Sequence, residues 1–496
     1  MQQKSPTFVP RSGHPKFGHA THNGHTDHQP AGNSGPGPGP GPWTPTTASP
    51  LAKRKKRDEE SPQLQYATEI KKTSRFYRKD GVLYRWNGHC FSVVALEDAE
   101  SHAFNWLALH FPERATPESA RSCTNAAKML APPVPARDPD RIIIPLKNAY
   151  LEVKDDQTIE QHEPSKEFGI TFALNITLPS KGKCYQPGVL PPGSQLAKYL
   201  TTSLPEVEVQ NYLQELAGNT LTTSAKFQIA MVLKGTGSNG KSVFMNVLSA
   251  LHNPVASMRL DQLSDFYLTP LIGASLVVVD EVPKSGINEQ TLKSLISGEN
   301  ITINRKHRDA IGYRPTAKWV IATNNDQKSL DNSHGFWRRL VFIPFTQEVS
   351  GPQLIRGLDR IIIDKELQLF LDWCLLGLLR LMGRGALPAE PTAVSLAKKD
   401  AIEASNSVVA WSSDEELKLH AHAFVTKDTV YQRYRTWCTR QGLRALSGGQ
   451  FWKALRAIYP DLKEEQRRVT SDQRPRLVNL QFPNDQINSN DSPPFD

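Results

Sequence analysis

Apolar and polar positions divide this 496-residue chain into stretches of different rhythm. Residues 1–65 have none. His14, His19, His22, His25 and His28 sit among Gly, Pro, Ser and Thr, and a GPGPGPGP run follows from Gly35 to Pro42. Such a segment buries too little apolar surface to offset the entropy of ordering, so a disordered tail is predicted. Residues 66–225 read as an α+β domain. Two short strands flank Asp80-Gly81, with a second turn at Asn87-Gly88. Helical periodicity runs through 103–109 and 119–130, a strand lies at 142–144, and paired helices span 199–221. Residues 226–385 alternate apolar strands with helical segments, the rhythm of an α/β domain around a mainly parallel sheet. Residues 386–425 read as a polar linker and helix. The stretch 426–482 has the order of a winged helix: a helix at 430–441 with Thr426 as N-cap, a second at 450–458, and strand-like runs at 466–470 and 476–482. Residues 483–496 read as a loose tail.

Composition narrows the class. Hydrophobic residues at 38% and charged residues at 22% suit buried cores in much of the chain, and the 37 prolines crowd toward the N-terminus. The most apolar run, 367–382, is broken by Asp372 and Arg380 and is too short to span a bilayer, so a buried helix is expected. Five separated cysteines form no CxxC pair, which excludes a zinc ribbon and a disulfide framework and fits a reducing cytoplasm. A net charge of +9 favours a polyanionic partner. The run from Lys53 to Arg57 suits phosphate contact or a solvated patch. Asp138-Pro139-Asp140 reads as a loop rather than a metal-binding pair.

The sharpest chemistry lies at Gly235-Thr236-Gly237-Ser238-Asn239-Gly240-Lys241-Ser242, a complete G-x-x-x-x-G-K-S. It follows an apolar strand at 229–233 and opens a helix at 243–251, the setting a phosphate-binding loop requires. Its backbone N–H groups and the helix N-terminus suit anionic phosphates. Lys241 is the candidate β- and γ-phosphate contact and Ser242 a candidate Mg²⁺ ligand, so ATP and Mg²⁺ are the expected cofactors. A second strand, 276–279, ends in Asp280-Glu281: Asp280 is placed to hold Mg²⁺ and Glu281 to polarise attacking water. A third, 318–323, ends at Asn324, whose amide can orient that water. Arg338 and Arg339 precede the apolar run 340–345, and either is a candidate arginine finger for a neighbouring subunit's nucleotide.

The order of these motifs resembles superfamily 3 helicases, and more narrowly the helicase half of phage and plasmid primase-helicases of the satellite-phage type. The likeness starts at Tyr212-Leu213-Gln214-Glu215-Leu216-Ala217-Gly218 and continues through the Asn-Gly-Lys-Ser loop and the Asp-Glu strand. Residues 292–308 match that family's additional motif, and Ala322-Thr323-Asn324 with Arg338-Arg339-Leu340 complete the set. Together it covers roughly 70–480. The resemblance implies an AAA+-like ATPase core and a homo-oligomeric ring, usually a hexamer, moving 3′ to 5′ along single-stranded DNA. It also implies a hairpin in the central pore, which makes Lys306, His307 and Arg308 candidate phosphate contacts and Arg305 a weaker one. Read from the residues alone, 304–309 is a charged turn between two strands. Family members carry an N-terminal primase polymerase domain, whereas residues 66–225 look like the helicase-associated region. Primer synthesis is therefore not expected, and a separate primase or polymerase is the implied partner.

Between residues 426 and 482 there are 12 Lys plus Arg against 5 Asp plus Glu. Arg444, Lys453 and Arg456 are expected on or beside a DNA-recognition helix, with Arg467, Arg468, Arg474 and Arg476 on the wing. The alternative is a protein-docking winged helix with a solvated basic face. The expectation is an ATP-dependent DNA helicase of a phage, prophage or plasmid, acting at replication initiation in the cytoplasm of a bacterial host, with no membrane partner. Its rival is an origin-binding initiator or helicase loader that uses ATP for assembly on origin duplex DNA.

Overall fold

The computed structural model describes residues 60–179, 182–283, 287–306, 308–324, 334–350, 354–421, 423–466 and 475–482, with Arg308 and His334 described by backbone alone. Helix α1 (Pro62–Thr73) begins inside the segment expected to be disordered up to residue 65. Ser61 accepts a hydrogen bond from the Leu64 N–H, Pro62 fills the first turn, and Tyr66, Ala67 and Ile70 are buried. The first helical turn is polar in composition, so its membership shows only through the cap and the partners it packs on. Strands β1 (Tyr77–Lys79), β2 (Val82–Trp86) and β3 (Phe91–Val93) form the antiparallel sheet expected around the two Gly turns. Helices α2 (Leu96–His110) and α3 (Pro117–Leu130) then pack with α1 around Leu107, Cys123 and Ala127.

A second antiparallel sheet comprises β4 (Ile142–Pro145), β5 (Tyr150–Val153) and β6 (Ile159–His162). Every residue of β5 is buried, Glu152 included. Arg141 donates to Glu152 through Nε and Nη2 at 2.7 and 2.6 Å, and this pairing is the main reason its carboxyl pKa falls to about 2.

Helices α4 (Gln195–Ser203) and α5 (Val207–Thr220) lead into the central layer. In chain order this layer contains β7 (Ala230–Lys234), α6 (Lys241–Leu251), β8 (Val255–Ser257), β9 (Leu276–Val279), α7 (Glu289–Ser297), the hairpin β10 (Ile301–Arg305) and β11 (Arg308–Tyr313), β12 (Lys318–Thr323), α8 (His334–Trp337) and β13 (Leu340–Pro344). Five of these strands form one all-parallel sheet in the order β13-β7-β12-β9-β8. Its strands are near-continuous apolar runs because both faces are covered. Helix α9 (Leu358–Arg384) contains the apolar run expected to be buried; among the described residues, no helix is long and apolar enough to cross a membrane.

Helices α5 and α9 approach each other through two glycines. A Cβ on Gly377 would sit 2.2 Å from the Gln214 carbonyl oxygen, and one on Gly218 would sit 2.5 Å from that of Cys374. Backbone cannot yield as a flexible side chain can. Gly377→Ala is therefore expected to destabilise the protein by about 1–3 kcal/mol, read as a lowered thermal midpoint by circular dichroism. An unchanged midpoint would refute this account of the helix crossing.

Helix α10 (Thr392–Ser405) returns along β13. The C-terminal unit follows with α11 (Ser407–Asp414), β14 (Lys418–Leu419), β15 (Val425–Thr426), α12 (Lys427–Arg440), α13 (Gly448–Ile458), β16 (Glu464–Gln466), β17 (Arg476–Val478) and β18 (Leu480–Gln481). Thr426 caps α12 as expected, accepting from the Thr429 N–H. The core of this unit starts earlier than residue 426. Val408 and Trp411 of α11 pack with Val430, Tyr434, Phe451, Leu455 and Val478. Two apolar side chains in a short helix are a weak periodic signal, and the partners that bury them lie far along the chain.

Candidate nucleotide site

Parallel pairing aligns the C-terminal ends of β7, β12 and β9, and each candidate group of the central layer follows one of those ends. The phosphate loop leaves β7, Asn324 follows β12 and Asp280 follows β9. Ligands of open α/β sheets bind at this edge because loops and helix N-termini converge there. A cavity of about 580 Å³ opens here, lined by Gly237–Ser242, Asp280 and Asn324 together with residues of α4 and the start of α9.

The loop has the backbone its glycines permit. Gly240 has φ +89°, in the left-handed region, and a Cβ there would meet Ser203 Oγ at 2.4 Å. Tyr199 of α4 donates its hydroxyl to the Gly240 carbonyl at 2.8 Å. Asn239 donates to the Phe345 carbonyl at 2.7 Å, anchoring the loop beyond β13. Lys241 folds back over the loop, its Nζ donating to Gly235 O at 2.8 Å and to Asn239 Oδ1 at 2.9 Å. Burial lowers its pKa by penalising the ammonium. That charge and the exposed N-terminus of α6 make the cavity attractive to an anion. Ser242 and Asp280 are exposed on the cavity wall. A hydroxyl and a carboxylate are the hard oxygen donors that suit Mg²⁺.

Glu281 is also exposed, but it does not line the cavity; its charge reaches Arg259. Arg338 and Arg339 lie at the opposite end of the sheet, since Leu340 of β13 pairs with Ala230 at the start of β7. Five residues of strand separate them from the loop, about 17 Å. They also differ in role. Arg339 is held within its own chain, donating to Ser297 Oγ at 2.8 Å and to Gly335 O at 2.5 Å. Arg338 is exposed.

Residues 233–339 match a family of unknown function (DUF5906), and residues 406–474 match the RFX DNA-binding domain. The first match contains the phosphate loop, Asp280, Asn324 and both arginines. The chain is 29% identical over 119 residues to replication protein E1 of human papillomavirus type 41, covering 24% of this chain and 19% of that protein. It is 30% identical over 121 residues to initiator protein NS1 of Aedes albopictus densovirus, covering 23% of this chain and 15% of that one. The relatives are viral replication proteins. The similarity spans less than a fifth of their length. In structure, the chain is similar to the C-terminal region of NrS-1 with a TM-score of 0.47 at 11% identity, covering 84% of this chain and all of that one.

The hairpin β10–β11 carries Lys306, exposed at its tip. Arg305 is turned away from that tip, donating through Nε and Nη2 to the Asp309 carbonyl at 3.1 and 3.0 Å. The base of the hairpin is fixed by buried Ile303, Ile311 and Tyr313. In the C-terminal unit Arg444 and Lys453 are exposed. Arg456 is exposed as well, but pairs with Glu464, which also accepts from Lys427 Nζ at 3.0 Å. Lys427 Nζ lies 4.4 Å from the Trp452 ring centroid. The His-rich segment, the Lys53–Arg57 run, His307, the Arg308 side chain, Arg467, Arg468, Arg474 and the C-terminal tail lie outside the described residues.

One further ligand-like cluster brings Glu152, Glu160 and His162 together. Arg141 and Lys154 already pair with Glu152, which makes it an ion-pair cluster. The α4 wall of the nucleotide cavity, with Gln195, Lys198, Tyr199 and Ser203, had no signature in the sequence. It lies more than thirty residues before the loop, and only the register of α4 against Gly240 reveals it.

Proposed function

We propose that the chain is an ATP-dependent DNA helicase of the superfamily 3 type, working in genome replication as a homo-oligomeric ring, most simply a hexamer, that moves 3′ to 5′ along single-stranded DNA. The observation that carries this reading is the cavity at the sheet edge, where a complete phosphate loop meets Asp280 and Asn324, in a chain whose relatives replicate viral genomes. ATP would sit with its β- and γ-phosphates on the loop amides and Lys241. Ser242 and Asp280 would hold Mg²⁺, which neutralises phosphate charge when bound. Asn324 orients water at the γ-phosphate, while Glu281, beside Asp280 but off the cavity wall, is given no part in that step. Arg338 reaches the nucleotide of the next subunit, because its own loop is at the far end of the sheet. Lys306 at the hairpin tip contacts DNA phosphates in the pore, along with His307 and Arg308. The C-terminal unit is a winged helix that binds duplex DNA through Arg444, Lys453, Arg467 and Arg468, with Arg456 partly committed to Glu464.

Strand displacement on a 3′-tailed duplex tests the motor. Unwinding that requires ATP and Lys241, and that disappears with a 5′ tail, is the expected result. ATP hydrolysis without strand separation overturns it. The second reading, an origin-binding initiator or loader that uses ATP for assembly, draws on the match of residues 406–474 to a DNA-binding domain. Sequence-specific duplex binding without unwinding is its signature.

A further inference from the structure

A second cavity, of about 380 Å³, lies away from the nucleotide site, between α2 and the β1–β3 sheet. Its walls come from separate elements. Arg85 of β2 and Ser92 of β3 are direct cross-strand partners, so both side chains stand on one face of the sheet. Asp98, Ser101 and His102 recur at i, i+3 and i+4 on α2 and share one helix face. Arg75, in the connection between α1 and β1, closes the third side.

The floor of the cavity is fixed by aromatic packing. The Tyr66 hydroxyl and His102 Nδ1 are 2.9 Å apart, and Phe76 meets the His102 ring edge-on with centroids 5.6 Å apart. Burial, and after it the charge of Arg75, lower the pKa of His102. The imidazole is therefore neutral, and the positive charge of the wall belongs to the two guanidinium groups. Arg75 and Arg85 are exposed, and neither side chain makes a hydrogen bond or an ion pair among the described residues. Ser92 Oγ accepts from Asn87 Nδ2 at 2.7 Å and keeps a proton to donate. Among the described residues, Asp98 is the one carboxylate lining the cavity, and it sits in the first turn of α2, where the positive helix end favours it. Glu69, whose charge also reaches His102, is engaged by Trp106, accepting from its Nε1 at 2.6 Å.

Two unpaired guanidinium groups beside serine hydroxyls make a donor set for a phosphate oxygen. The neighbouring sequence indicates which phosphate. From residue 71 to residue 85, Lys71, Lys72, Arg75, Arg78, Lys79 and Arg85 stand against one acid, Asp80, and all six are exposed. Exposed basic groups beyond the cavity wall suit a chain of phosphates more than one small ion. Phe104, one turn along α2 from Ser101, is 38% exposed and offers a ring on which an unstacked base can lie.

We infer that the Arg75–Arg85 cavity takes a phosphodiester group of single-stranded DNA, a contact with the strand separate from the hairpin tip and from the C-terminal unit. This rests on the reading of the chain as a DNA-binding replication protein and adds a site to it.

The test is fluorescence anisotropy of a labelled oligothymidylate with the full-length chain over a salt series. Arg75→Gln and Arg85→Gln should each weaken binding about 2- to 5-fold. Each should also lower the slope of log affinity against log salt by about 0.7, the loss of one single-strand phosphate contact. Asp98→Asn should strengthen binding, a sign that a merely structural role does not produce. Thermal midpoints of the arginine variants should stay constant, since neither arginine has a partner to lose. Lys399→Gln on α10 removes one exposed charge elsewhere and should change the affinity less than either arginine variant. Affinity and slope unchanged in both arginine variants overturn the site. Equal weakening of binding to a blunt duplex overturns the single-strand assignment. Inorganic phosphate that raises the thermal midpoint of the unaltered protein but not of the double variant, with oligonucleotide affinity equal in both, makes the ligand a small phosphate and overturns the DNA assignment. An unaltered chain that binds no oligonucleotide at all overturns the reading of the whole protein, a distinct result.

Discussion

Replacing Lys241 by alanine is expected to lower ATP turnover by about 10²–10³-fold, the scale on which a preorganised electrostatic contact to the transition state acts. The structure explains why this side chain is poised for the role. Lys241 is 5% exposed and occupies the loop with hydrogen bonds to Gly235 O and Asn239 Oδ1. Arriving phosphates offer the ammonium stronger, charged acceptors, and the loop carbonyls are released. The same substitution leaves those two acceptors without their donor, so a melting curve must accompany the assay. A fall in turnover at nearly constant thermal midpoint assigns the loss to phosphate contact. Turnover within a few-fold of the unaltered protein would sink the assignment of the loop.

Arg338→Ala is expected to reduce turnover further still, by about 10³-fold or more, as loss of an arginine finger does. Arg339→Ala should act on stability instead, costing about 1–3 kcal/mol through the unpaired Ser297 and Gly335 acceptors. The contrast follows from geometry. Both arginines lie at the end of β13 remote from their own phosphate loop, but Arg339 is bound within the chain and Arg338 is exposed. If Arg338 serves the next subunit, mixing the Lys241→Ala and Arg338→Ala proteins restores part of the turnover, because some interfaces then combine an intact Lys241 with an intact Arg338. Additive loss with no recovery on mixing excludes action across the interface.

These two arginines also mark where reading the chain stops. Side by side in sequence, they carry the same chemistry, and no local pattern separates them. Their difference lies in Ser297 and Gln228, side chains distant in sequence that reach only Arg339. The phosphate loop is the opposite case. Its glycines, lysine and serine are contiguous, and the strand before and helix after it show in the periodicity of a dozen residues. Backbone conformation of this kind is decided over short distances, so β7, α6, β9 and β12 were legible from their apolar runs and the turns that end them.

Order in the sheet was not. Nothing in the runs at 276–279 and 318–323 states that β12 lies between β7 and β9, yet that order brings Asp280 and Asn324 to one cavity and leaves Glu281 off its wall. The wall of α4, the apolar face at Leu354 and Ile355, and the entry of α11 into the C-terminal core share this origin. Each depends on side chains brought together across tens to hundreds of residues, where packing selects partners that local propensity does not encode. The chain's own pattern thus specifies the chemical groups and the elements that carry them. Burial and register between distant segments select which groups face the nucleotide.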